Sequence, residues 1–186
     1  MNSVRAHKET RPGMVLKAVI IYDDFDAATH ATGLLERVAL HADETIKWDT
    51  KPWRCDVLKQ PTLAALTVAV AANADLIVLA VSRIHPPPPE LLAWLKNWAE
   101  HRRVKDAAVL ALPADINHLH SKSWNEIKAF VEGHNLAFLG GNNVWTDKHS
   151  GSFVHRLQQR KQPVAPPSLP AFAERLAVPH HWGINE

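Results

Sequence analysis

The chain alternates short runs of β-branched and apolar residues with longer amphipathic segments, and this alternation constrains its fold more than any other feature. The strongest run, residues 75–81, continues from Asp75 as Leu-Ile-Val-Leu-Ala-Val. Runs of this kind predict strands that are buried on both faces, which occur mainly in parallel sheets. The pattern predicts five strands, at residues 16–22, 44–48, 75–81, 107–112 and 136–139.

Apolar residues recur at helical spacing between the strands, which predicts four helices. The third carries an apolar stripe of Leu91, Trp94, Leu95 and Trp98, and the fourth opens on Ser123-Trp124-Asn125-Glu126, the sequence of a capping box. Helices that alternate with strands indicate a doubly wound α/β fold, for which we expect the flavodoxin-like strand order 2-1-3-4-5. The predicted helices span residues 27–41, 61–72, 90–103 and 123–133.

The composition changes after Val144, which divides the chain into a polar N-terminal tail (1–15), the α/β domain (16–144) and a C-terminal extended arm (145–186). The arm holds five of the 13 prolines and two apolar patches. Docking on its own domain and docking on a second subunit are both open, and we favour a homodimer. The predicted order places the second strand at a sheet edge that needs cover. The first patch is Phe153, Val154 and Leu157, and the second is Leu169, Ala171, Phe172, Leu176 and Val178.

Trp48 and Trp53, predicted to lie at and just after the end of that edge strand, support the same expectation. Aromatic side chains are enriched at protein–protein contacts. The edge strand is therefore the place where the arm or a second subunit is expected to dock.

Net charge argues against nucleic acid or an anionic membrane surface as a partner. The chain has 21 Lys and Arg against 19 Asp and Glu, a formal charge of +2. No run reaches the roughly 18 apolar residues that a membrane-spanning helix needs. The single cysteine, Cys55, cannot form an internal disulfide, so a cytoplasmic location is expected. Cys55 is either a thiol activated by the adjacent Arg54 or an inert packing residue.

Polar residues follow several of the predicted strands. In open parallel sheets, ligands bind at the carboxyl ends of the strands, so these residues are the candidate binding site. The candidates are Asp23, Asp24 and Asp26 after the first strand, Ser82, Arg83 and His85 after the third, Asp115, His118 and His120 after the fourth, and Gly140 and Gly141 after the fifth.

Two cations suit these residue types, although no cofactor is required by the sequence. Asp23 and Asp24 offer the carboxylate oxygens that Mg²⁺ prefers, and His118 with His120 offers imidazoles for Zn²⁺. The alternative for the aspartates is that they cap the following helix, where negative charge is favourable. The Gly140-Gly141 pair is either an anion-binding nest or an ordinary turn.

The first and third predicted strands carry a family resemblance. Val19-Ile20-Ile21-Tyr22-Asp23-Asp24 resembles the acidic pair after the first strand of response-regulator receiver domains. Residues 75–81 are similar to the receiver strand that carries the phospho-accepting aspartate. The resemblance covers residues 16–144 and implies a receiver-like α/β fold.

The same comparison shows departures from the receiver pattern. Ala80 occupies the position of the phospho-accepting aspartate, and Pro113 or Ala114 stands where receivers have Thr or Ser. The lysine after the fifth receiver strand has no counterpart in residues 139–142. The resemblance therefore implies a pseudo-receiver that is not phosphorylated in the usual way.

Two functions remain open from the sequence. The first is a non-catalytic regulatory or protein-interaction domain, as in signalling, with no catalytic residue assigned. The alternative is a divalent-metal-dependent enzyme or small-ligand-binding protein that uses Asp23, Asp24, Arg83 and the His118/His120 loop. Glycine-rich nucleotide motifs and a Gly-x-Ser-x-Gly nucleophile motif are absent. The lack of a complete catalytic set favours the first function.

Overall fold

Strands and helices alternate along the chain in the computed structural model, which describes residues 14–40, 46–81, 86–113 and 115–140. Within these ranges there are five strands, four α-helices and two short 3₁₀ helices, Cys55–Lys59 and Ile116–His120. The strands are β1 (Met14–Tyr22), β2 (Ile46–Arg54), β3 (Leu76–Ala80), β4 (Ala108–Ala111) and β5 (Ala137–Leu139). The helices are α1 (Phe25–Leu40), α2 (Pro61–Ala71), α3 (Pro89–His101) and α4 (Lys122–Gly133).

The strands form one parallel sheet in the order β2-β1-β3-β4-β5, which confirms the predicted fold class and strand order. Ala18 of β1 is paired with Thr50 on one side and with Leu76 on the other, so β1 lies inside the sheet. β4 continues the sheet beyond β3, and β5 pairs with β4. This is the flavodoxin-like arrangement.

Helices cover the two faces of the sheet unequally because right-handed crossovers fix their side. The connection from β1 to β2 runs in one direction across the sheet, and the connections from β2 to β3, from β3 to β4 and from β4 to β5 run in the other direction. The face that packs against α2, α3 and α4, here called the three-helix face, is lined by Val19, Ile21, Ile77, Leu79, Val109 and Ala111. The opposite face, here called the α1 face, is lined by Ala18, Ile20, Leu76, Val78, Ala108 and Leu110.

The apolar stripe predicted for the third helix is buried in the three-helix face. Trp94 and Trp98 stack with ring centroids 6.5 Å apart and an interplanar angle of 8°. The indole Nε1 of Trp98 donates a 2.9 Å hydrogen bond to the carbonyl oxygen of Ala71, which joins α3 to the end of α2. Residues spaced three and four apart along a helix therefore form a single packing surface, as the periodicity predicted.

β2 extends further than predicted. The predicted end at Trp48 is wrong, because the strand continues through Lys51 and Pro52 to Arg54. Proline is tolerated in an edge strand, where its missing N–H can face away from the neighbouring strand, and β2 is an edge strand. Trp48 and Trp53 consequently lie inside β2, with Trp48 packed on the α1 face and Trp53 on the three-helix face.

The start of α4 also differs from the prediction. The helix begins at Lys122 with Ser121 at the N-cap, so Ser123 lies in the first turn and is not a capping-box residue. The preceding 3₁₀ helix ends with a hydrogen bond from the Ser121 N–H to the His118 carbonyl, and α4 follows at once. The predicted end at Gly133 is confirmed.

Two further predictions concern membrane-spanning helices and the C-terminal arm. None of the helices within the described ranges has the length and apolar character needed to cross a lipid bilayer. The C-terminal arm predicted for residues 145–186 lies outside the described residues.

Candidate functional site

Asp23 and Asp24 lie at the carboxyl end of β1, as the topology predicted. The Asp23 N–H donates a 3.4 Å hydrogen bond to the carbonyl oxygen of Ala80 at the end of β3. The Asp24 carbonyl accepts the first hydrogen bond of α1, from the Ala28 N–H at 3.1 Å, and Asp26 lies in the first helical turn. Asp24 therefore occupies the backbone position that the helix-capping alternative requires.

The end of the adjacent strand β3 is apolar. Ala80 is 1% exposed and Val81 is fully buried. The carboxyl end of β3, which contacts Asp23, is therefore formed by buried apolar residues. Ser82, Arg83 and His85, the other candidates at this strand, lie outside the described residues.

The histidine pair belongs to a different part of the edge. His118 and His120 lie in the 3₁₀ helix after β4, His118 half-buried and His120 exposed. The Asp115 carboxylate caps this helix by accepting a 2.9 Å hydrogen bond from the Asn117 N–H. β3 separates β4 from β1, so the two strands lie about 10 Å apart.

The predicted metal ligands do not form one cluster. Within the part of the chain that the structure describes, no group of three or more His, Cys, Asp or Glu side chains is arranged to hold a metal ion. Asp23, Asp24, His118 and His120 all lie in that part. Binding of Mg²⁺ by Asp23 and Asp24, or of Zn²⁺ by His118 and His120, stays a prediction.

Gly140 is explained by close packing after β5. A Cβ atom at this position would lie 3.1 Å from Cε1 of Phe138 and 3.3 Å from Cδ1 of Leu119. Both distances are shorter than ordinary van der Waals contact, so the two side chains occupy the space that a larger residue would need. Gly141, the other half of the predicted anion nest, lies outside the described residues.

Cys55 is buried at the start of the 3₁₀ helix that follows β2. Burial first, and then the negative charges of Asp23, Glu90 and Asp56, raise the pKa of its thiol to about 11. Arg54 does not activate the thiol, because its Nη2 lies 2.9 Å from Oδ2 of Asp56 in an ion pair. These observations favour the packing interpretation of Cys55 over the activated-thiol interpretation.

Three carboxylates raise the pKa of Cys55, an interaction that the sequence did not predict. Asp56 follows β2 and Glu90 lies in the first turn of α3, yet both act on the same thiol as Asp23. The three carboxylates come from separate segments of the chain. Their common effect on one thiol depends on the strand order and on the helix positions, so no local motif could have indicated it.

Comparisons of the chain with protein-family models, with curated proteins and with solved structures find no match in any of the three. The functional argument therefore depends on the site and the fold alone.

Proposed function

We propose that this protein is a non-catalytic regulatory or protein-interaction domain of the cytoplasm, with a receiver-like fold that lacks a phospho-acceptor. The observation that carries the proposal is the apolar end of β3, where Ala80 and Val81 are buried beside Asp23 and Asp24. A methyl group cannot accept a phosphoryl group. A sheet edge of this kind suits a domain that acts by contact rather than by chemistry.

Acetyl phosphate with Mg²⁺ tests the missing acceptor. Intact-mass measurement of the full chain is expected to show no phosphoryl adduct. Ala80→Asp restores a carboxylate beside Asp23 and Asp24, and a hydroxylamine-sensitive, Mg²⁺-dependent adduct on this variant would support the receiver-like arrangement. Ala80→Asn is the matched control and should remain unmodified. An aspartyl phosphate on the unaltered chain would contradict the proposal.

The partner we propose is a second copy of the chain, bound along the outer edge of β2. This strand has nine residues, and among the described residues only β1 pairs with it. The edge carries opposite charges on the two sides of Thr50. Within one chain, Lys51 Nζ lies 3.2 Å from Oδ1 of Asp49. Antiparallel pairing of two β2 strands centred on Thr50 would place Asp49 of each copy opposite Lys51 of the other.

A charge-swap series tests this homodimer. Sedimentation velocity of the full chain is expected to show a dimer that weakens in Asp49→Lys and in Lys51→Asp, because each places like charges opposite one another. The double variant Asp49→Lys/Lys51→Asp restores opposite charges and is expected to recover the dimer. A chain that is monomeric at all concentrations would contradict self-association.

The metal-dependent alternative relies on Asp23 and Asp24, which follow each other directly at the carboxyl end of β1. Calorimetric titration of the full chain with Mg²⁺ and with Zn²⁺ separates it from the main proposal. Saturable binding that is lost in Asp23→Asn/Asp24→Asn would favour the alternative. The absence of a binding isotherm for either ion would favour the interaction domain.

A further inference from the structure

We propose that the C-terminal residues 141–186 cover the β4–β5 half of the α1 face within the same chain, and that the patch of Phe153, Val154 and Leu157 makes this contact. The proposal is independent of the homodimer, which involves the opposite edge of the sheet.

α1 is too narrow to cover the whole of the α1 face. It packs against β1, β2 and β3. A helix is about 10–12 Å across with its side chains, and neighbouring strands are about 4.8 Å apart, so one helix covers two to three strands. β4 and β5 lie beyond β3, and none of the three later crossovers places a helix on this face.

The β4–β5 half of the α1 face is nevertheless buried. Ala108 and Leu110 of β4 are each 1% exposed, and Leu139 of β5 is half-buried against the same cluster. Neighbouring strands shield a side chain laterally but do not cover it from above. An apolar half-face of this kind needs a cover that α1 does not supply.

The C-terminal segment is assigned this role because of its length and its starting point. The chain leaves β5 at Gly140, next to the two strands that α1 does not reach, with 46 residues to follow. Residues 41–45 and 82–85 are short, and residues 1–13 contain only Met1 and Val4 as large aliphatic side chains. The C-terminal segment is the one with enough apolar side chains to bury.

Within that segment, the first patch fits better than the second. Phe153, Val154 and Leu157 are spaced so that one helical face would hold all three, and the remaining positions from 155 to 161 are polar or charged. The patch is also nearer to Gly140, which lowers the entropy cost of closing the loop. The second patch is interrupted by Pro170, and Pro166 and Pro167 precede it.

Hydrogen exchange on the full chain tests the contact. Phe153→Asp/Leu157→Asp should accelerate amide exchange in β4 and β5 by about tenfold or more. Burial of one large apolar side chain in the contact slows local opening of these strands by about that factor. Gln158→Asp/Gln159→Asp adds the same charge beside the patch and should leave exchange unchanged. Faster exchange with Phe172→Asp/Leu176→Asp instead would overturn the assignment to the first patch.

A disulfide experiment keeps the proposal testable if the charged variant does not fold. Leu139→Cys/Leu157→Cys is expected to form an intramolecular disulfide on mild oxidation, whereas Leu139→Cys/Gln159→Cys is not. Cys55 can be retained because it is buried. An intermolecular disulfide would overturn the proposal by assigning the cover to a second copy, and no disulfide in either variant would also overturn it. Neither result affects the charge-swap test of the β2 homodimer.

Discussion

The indole Nε1 of Trp94 donates a 2.7 Å hydrogen bond to Oγ1 of Thr67 in the interior of the three-helix face. The Thr67 hydroxyl donates in turn to the carbonyl oxygen of Ala64, also at 2.7 Å. Thr67 is fully buried, and it is one of two buried polar residues in the described ranges. The hydroxyl therefore satisfies an indole donor that would otherwise be buried without a partner, and it joins α3 to α2.

Replacing Thr67 by valine should destabilise the protein by about 1–3 kcal/mol, because the Trp94 N–H remains buried without an acceptor. Thr67→Ser keeps the hydroxyl and should cost less. Urea unfolding followed by circular dichroism gives the free energy of unfolding. Thr62→Val, at an exposed position of the same helix, is the control. Equal stabilities for the Thr67 and Thr62 valine variants would contradict the role assigned to this hydrogen bond.

Asp75 is the other buried polar residue, and it joins β1 to β3. Its Oδ2 accepts a 2.8 Å hydrogen bond from the Lys17 N–H, and its own N–H donates to the Lys17 carbonyl at 2.8 Å. Asp75→Ala should lower the free energy of unfolding by about 1.5–3 kcal/mol, the range for hydrogen bonds to charged groups. Asp75→Asn retains an acceptor and should lose less.

Thermal melts or urea titrations of the two Asp75 variants measure this difference. Glu100→Ala removes an exposed carboxylate from α3 and should change stability by less than about 0.5 kcal/mol. An Asp75→Ala variant as stable as Glu100→Ala would show that the Lys17 contact contributes little.

The raised pKa of Cys55 predicts a pH dependence of stability. The thiol has an ordinary pKa of 9.0 and a folded pKa of about 11. Above pH 9 the unfolded chain loses the thiol proton while the folded protein retains it, so the free energy of unfolding should fall between pH 9 and pH 11. In Cys55→Ala, the free energy of unfolding should fall less between pH 9 and pH 11. A urea titration at each pH measures this free energy for both proteins.

Alkylation of Cys55 by iodoacetamide should be slow at pH 8, because both burial and the small thiolate fraction protect the thiol. The rate is expected to rise sharply in urea. Arg54→Ala is the informative variant, since Arg54 pairs with Asp56 and should not affect the rate. Slower alkylation in Arg54→Ala would instead indicate an activated thiol.

Two positions at the end of α4 should respond to alanine with opposite signs. Asn135 has φ 56°, in the left-handed region, so Asn135→Ala should cost about 1 kcal/mol, whereas Asn135→Gly should be tolerated. Gly133 is helical, and a Cβ there would meet nothing within 4 Å. Gly133→Ala should therefore stabilise the protein by roughly 0.5 kcal/mol. Melting temperatures of the three variants measure these effects, and the same sign for both alanine variants would contradict the assignment.

Local pattern was sufficient for the central elements of the fold. Residues 76–81 are apolar because β3 is covered on both faces, and the spacing of Trp94 and Trp98 reflects a helix with one buried side. The strand order followed from alternation and crossover handedness. The path of β2 through Pro52 could not be predicted in this way, because tolerance of proline depends on the strand being at an edge.

The candidate site was predictable only in part. Asp23 and Asp24 lie at the carboxyl edge because any residue that follows β1 must lie there. Their surroundings depend on distant segments, since Asp23 acts on the Cys55 thiol together with Asp56 of a 3₁₀ helix and Glu90 of α3. The state of Cys55 is likewise a property of the assembled core, which no residue adjacent in sequence indicates.

The sheet tapers from nine residues in each of β1 and β2 to five in β3, four in β4 and three in β5. Its backbone hydrogen bonding is therefore concentrated at the β1–β2 end. Partial opening should start where the ladder is shortest, which makes the chain around β5 the first site accessible to a protease. The turnover of this protein would then depend on the stability of its three-residue strand rather than on that of the whole domain.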